Sequence, residues 1–140
     1  MAMANEAGAL LPLRLRPGDD LRRALEAALA ASGHEAAFVL QGIGSLADAA
    51  LRLAGAEEAT VIAGPSEIVT LAGSVGPGAS HLHASLADAQ GRLLGGHLPY
   101  GCVVRTTAEV LLQLLPGWRF GRAIDAATGY PELVVDRRAG

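Results

Sequence analysis

The stretch Ser80–Leu98, SHLHASLADAQGRLLGGHL, holds three of the chain's four histidines, and the fold is read outward from it. Alternation along the first half places His81, His83, Ser85 and Ala87 on one face of a strand and Leu82, Ala84 and Leu86 on the other. Asp88-Ala89-Gln90-Gly91 then reads as a tight reversal, with Gly91 taking a positive φ in a type I turn plus bulge. With Asp88 facing Arg92 across that turn, His83 faces His97 and His81 lies diagonal to it. Directly opposed Cβ atoms sit about 4.5–5.5 Å apart and diagonal ones about 7–8 Å apart, so three imidazoles share one small patch. A slip of one residue would send His97 to the other face.

Three neutral imidazoles converging on a point are a common set of ligands for a divalent transition metal, and catalytic zinc keeps a fourth position open beside three protein ligands. His81, His83 and His97 are therefore candidate ligands for Zn2+ or another divalent transition metal. The plainer reading makes them polar residues on a solvated or subunit-facing sheet surface, hydrogen-bonded and metal-free. Gly95 and Gly96 would let another backbone, or a ligand, come close to the third histidine.

On the N-terminal side, Leu11 to Arg16 alternates as a short strand closed by Pro17-Gly18. Asp19 and Asp20 open an amphipathic helix with Leu21, Leu25 and Leu29 on its apolar stripe. AAFVLQGIG reads as a buried strand and ADAALRLA as a second, weaker one; TVIA and EIVTLAGSV follow as strands. Gly42-Ile43-Gly44 lacks the third glycine and the long helix of a dinucleotide site. After the hairpin, YGCVVR makes another strand. Thr106-Thr107-Ala108-Glu109 has the spacing of a capping box and predicts a second helix over TTAEVLLQLL, with Glu109 as cap rather than catalytic acid. WRFGRAID and ELVV supply the last strands. The expectation is an α+β fold: one domain over 11–135, a mainly antiparallel sheet with two principal helices, a flexible N-terminus over 1–10 and a flexible tail over 136–140.

Composition narrows the function. The eleven basic residues are all arginine against fourteen acids, a net charge of −3, so no global field favours nucleic acid. A lone cysteine, Cys102, in the apolar run GCVV excludes an internal disulfide and fits a buried thiol in a reducing compartment. No signal-peptide pattern and no long apolar window is present, so a cytoplasmic location without a membrane partner is expected. The excess of apolar residues over charges points to oligomer contacts.

The succession LRPGDDL, GIGSL, HLHASLADAQGRLLGGHL, TTAEVLL and TGYPEL resembles the plants-and-prokaryotes-conserved (PPC) domain from about Leu11 to Val135. The resemblance implies a compact α+β subunit assembled as a homotrimer, of the bacterial, stand-alone kind. Plant members join the domain to AT-hooks that bind AT-rich DNA and use the trimer for partner contacts. This chain shows no Arg-Gly-Arg-Pro hook. Opposite the plant interaction motif Gly-Arg-Phe-Glu-Ile-Leu it has Gly64-Pro65-Ser66-Glu67-Ile68-Val69, without the Arg and Phe. The fold is also similar to that of acetolactate decarboxylase, a zinc enzyme with a His-x-His pair and a further histidine, which implies His81, His83 and His97 as ligands.

Two functions follow from these expectations. The first is a metal-binding homotrimer with lyase- or decarboxylase-like chemistry on a small molecule, in which Arg105 and Arg122 would hold a carboxylate. No acid or base partner stands out: Asp88 is the turn residue, Asp125 and Glu132 lie on distant segments, and Tyr130 reads as a core or rim aromatic. The second is a DNA-binding or regulatory module, which would need a trimer to gather Arg14, Arg16 and Arg92 into one patch.

Overall fold

The computed structural model describes residues 8–139. Its elements run β1 (Leu10–Leu15), α1 (Leu21–Ala31), β2 (Ala37–Arg52), β3 (Ala59–Ile62), β4 (Ser66–Val75), β5 (His81–Ala87), β6 (Leu93–His97), β7 (Val103–Leu114), β8 (Trp118–Ile124) and β9 (Pro131–Arg137). Seven strands form one sheet in the order β1-β7-β2-β4-β5-β6, with β3 pairing β2, and every pairing is antiparallel. β8 and β9 make a separate hairpin. The bridge Arg52↔His97 brings β6 back to the end of β2, so β2, β4, β5 and β6 close into a ring.

The expected first helix is present. Asp20 caps it by accepting from the Arg23 amide at 3.0 Å and also from the Gly101 amide at 2.5 Å, which ties the helix start to the segment after β6. Leu21, Leu25 and Leu29 are buried and join a core built from the inward residues of β2, β4, β5 and β7. Burying each leucine contributes about 1.5–3 kcal/mol. The helix lies against β4 and β7.

The second expected helix is absent: TTAEVLLQLL belongs to β7, and α1 is the one α-helix among the described residues. Val104, Ala108, Val110, Leu112 and Leu114 are all buried, a period of two that fits a strand. Between β1 and β2 the β7 backbone finds partners on both sides, a gain that outweighs the helical propensity of the segment. Glu109 is no cap; it is exposed on β7 opposite Arg14. AAFVLQGIG and ADAALRLA likewise form one 16-residue strand, bent by register shifts against β7 at Val39/Gln41, Gly44/Leu46 and Leu46/Asp48. Pro12 sits in β1, which among the described residues pairs with β7 alone.

Of the ends expected to be flexible, residues 1–7 and 140 lie outside the described residues, while strand pairing continues through Leu10 at one end and Arg137 at the other.

The histidine hairpin has the expected turn. The Asp88 amide donates to the Arg92 carbonyl at 2.9 Å, the Gly91 amide returns to the Asp88 carbonyl at 2.9 Å, and Gly91 has φ +79°. The Asp88 carboxylate accepts from the Gln90 and Arg92 amides, each at 2.9 Å, and from Arg92 Nε at 2.8 Å. The Arg92 amide first, with the Gln90 amide and Arg92 side chain, holds the carboxyl below its ordinary 3.8.

Two glycines let neighbouring backbones reach the hairpin. Gly73, at φ +140°, faces the His81 carbonyl, with which a Cβ would collide. A Cβ at Gly96 would lie 2.6 Å from the Arg52 carbonyl oxygen, so only glycine allows β6 to meet β2 there. Gly73→Ala is expected to lower stability by about 1–3 kcal/mol in chemical denaturation, the usual cost of such a strained backbone. Asp88 has its pKa lowered on folding, so its contribution is present above 3.8 and fades as pH falls through the lower folded value. Asp88→Asn should therefore melt below the native protein at pH 7, with the Tm gap narrowing below pH 3.8.

Candidate metal centre

The register of β5 and β6 pairs His83 with His97, Ser85 with Gly95 and Leu86 with Leu94, so His81, His83 and His97 share one face as the alternation predicts. The opposite face carries Leu82, Ala84 and Leu86, all buried. On the histidine face, β4 contributes Ala72 opposite His83 and Ser74 opposite His81. Thr70 Oγ1 and Ser85 Oγ lie 2.5 Å apart on the same side, which confirms how the face runs. With small residues at Ala72 and Gly95 beside it, His83 is exposed, while His81 and His97 are half-buried.

The three rings are in mutual contact. His81 stacks on His97 with centroids 4.6 Å apart and planes 14° apart. His83 meets both edge-on, at 4.8 Å from His81 and 4.6 Å from His97. His81 Nε2 and His83 Nε2 are 3.0 Å apart, and one potential ligand atom from each ring lies within 4.8 Å of the others. A tetrahedral zinc with Zn–N of about 2.0–2.1 Å needs nitrogens about 3.3 Å apart, a spacing that small ring rotations reach. Among the described residues the donor set is three imidazoles without carboxylate or thiolate. With the ring protons on Nδ1, the Nε2 lone pairs of His81 and His83 face the same space.

The surroundings disfavour a charged imidazolium. Burial, then Arg52, then the other two rings push His97 down to about 4. Burial also lowers His81, followed by His83 and Arg122, with Glu132 opposing. These two rings are therefore neutral at pH 7, the form that binds metal.

The other residues singled out in the sequence separate into those near the rings and those away from them. Arg122, on β8, donates to the Ala79 carbonyl at 3.2 Å and to Ser74 Oγ at 3.4 Å, which places it beside His81. Glu132 reaches the same region electrostatically. Arg105 is elsewhere, lining a depression with Ser45, Glu67 and Thr106. Asp125 is a turn residue that accepts from the Ala127 amide at 2.7 Å, and Tyr130 is exposed. Cys102 is buried and its thiol is pushed up by burial. Arg14 faces Glu109 across β1 and β7, and Arg92 is paired with Asp88. Arg52, one of the scattered arginines in the sequence, is the residue the linear reading missed: its β2 bridge puts it directly opposite His97. No helix among the described residues is long and apolar enough to cross a membrane.

Comparison with known proteins assigns the family. The family model for the Plants and Prokaryotes Conserved (PCC) domain matches residues 3–116. The bifunctional protein GlmU of Synechococcus sp. (strain JA-3-3Ab) is 47% identical over 128 residues, 91% of this chain but 21% of that protein. The chain thus spans about a fifth of the length of the curated relatives it matches. A hypothetical protein from Salmonella enterica has a TM-score of 0.89 at 37% identity, over 96% of this chain and 97% of that one. A metal-containing protein from Archaeoglobus fulgidus has a TM-score of 0.78 at 30% identity, over 92% of this chain and 95% of that one. With a family model covering most of its length and two structures matched nearly end to end, the chain belongs to the Plants and Prokaryotes Conserved (PCC) domain family.

Proposed function

We propose that this PCC-domain chain is a homotrimeric metal-binding protein whose His81, His83 and His97 hold one divalent transition metal, zinc fitting best, with small-molecule chemistry of the lyase or decarboxylase kind at the open position. The observation that carries the reading is the convergence of the three imidazole nitrogens within 4.8 Å on one face. The metal-containing relative from Archaeoglobus fulgidus supports it. For the trimer, support comes from the resemblance and from the exposed Phe38, Leu40, Ile43 and Val69 on β2 and β4, apolar side chains of the kind subunit contacts cover.

A metal bound here supplies Lewis acidity to an oxygen atom of its ligand. The chain's own residues do the rest. The β5–β6 pairing fixes two rings opposite one another. The stacked His81 and His97 hold each other's planes, and Arg52 and Arg122 keep positive charge beside rings that stay neutral.

Elemental analysis of purified protein should find about one zinc or other transition metal per chain, and none in the triple variant His81→Ala/His83→Ala/His97→Ala. His34→Ala, a histidine remote from the cup, should keep the full amount, and equal metal in the triple variant and the native protein would remove the reading. Native mass measurement at micromolar concentration should give three times the chain's 14.2 kDa; a monomer would remove the trimer.

A further inference from the structure

Two guanidinium groups flank the histidine cup, one placed by backbone pairing and the other by side-chain hydrogen bonds. On one side, Arg52 is the direct cross-strand partner of His97, so its side chain leaves the sheet on the histidine face. On the other, Ser74 is the direct partner of His81, and Arg122 donates to Ser74 Oγ at 3.4 Å. Arg52 spends one N–H on the Ala56 carbonyl at 3.2 Å, and Arg122 spends Nε on the Ala79 carbonyl at 3.2 Å. Both forks keep further donors.

Neither arginine has a carboxylate within ion-pair distance among the described residues, whereas Arg22, Arg92, Arg119 and Arg138 all do. Glu132 and Glu26 have partners of their own. Glu132 accepts from Thr128 Oγ1 at 3.0 Å and acts on Arg122 only at longer range. Glu26 is held by Arg22 and by the Tyr100 hydroxyl. Two guanidiniums with free donors stand beside the three imidazoles, with Glu132 acting there only at longer range. A planar oxyanion accepts two parallel bonds from such a fork.

We propose that the cup takes a small oxyanion, a carboxylate or phosphate group, gripped by Arg52 and Arg122 on either flank of His81, His83 and His97. This names the ligand class of the site proposed above and rests on that reading, but the arginine grip can be measured with or without metal. A carboxylate-bearing molecule would present its acid group to an arginine and a neighbouring oxygen to the open metal position.

Calorimetric titration of the full chain with oxalate and, separately, with inorganic phosphate tests it, on zinc-loaded protein and on protein stripped with a chelator and dialysed. At least one of the two anions should bind in both states, and the tighter one assigns carboxylate or phosphate. Arg52→Gln and Arg122→Gln should each weaken that binding about tenfold with metal content unchanged, and Arg52→Lys should fall between native and Arg52→Gln, since lysine keeps the charge and loses the fork. Thermal melts of the variants at the native temperature show that folding is intact. Native-like anion affinity in both glutamine variants, or no binding of either anion in either state, would overturn the proposal. Failure of the native protein to take up zinc, with anion binding retained, would instead remove the metal reading and leave the arginine grip standing.

Discussion

A strand has a side-chain period of two, so the histidine face exists only if β5 and β6 pair in one register. The Asp88 carboxylate enforces that register: it gathers the amides of Gln90 and Arg92 and the Arg92 side chain at the turn. The core enforces it again from beneath, because a slip would expose Leu82, Ala84 and Leu86 and bury the imidazoles unpaired. Turn chemistry and hydrophobic burial thus select the same pairing, and everything above the sheet inherits it.

The hairpin was legible in the sequence because its determinants are local: alternation, an Asp-x-x-Gly turn and a short return strand. The first helix was legible for the same reason, through its cap at Asp20 and its stripe of Leu21, Leu25 and Leu29. The segment after it was not. Thr106 to Leu115 carries a helix-start signal by coincidence, and its apolar residues on both strand faces hide the period of two that Val104, Ala108, Val110 and Leu112 keep. Its true state depends on β1 and β2 lying on either side, which no local pattern encodes. Arg52 was invisible as a site residue for a related reason. It meets His97 through a bridge that closes the ring of strands, and Gly96 makes that approach sterically possible.

Charge in the cup is arranged in tension. Burial together with Arg52 and Arg122 drives protons from His97 and His81, and the same two arginines are the groups proposed to hold an anion.

The closed ring leaves β1 as an outer strand whose far side meets no other strand among the described residues, and Pro12 interrupts that margin with a residue that has no amide hydrogen to offer. A row of backbone groups that would otherwise invite another chain to extend the sheet is broken near its middle. Extension of the sheet by another chain along the hydrogen-bond direction is thereby disfavoured at this margin.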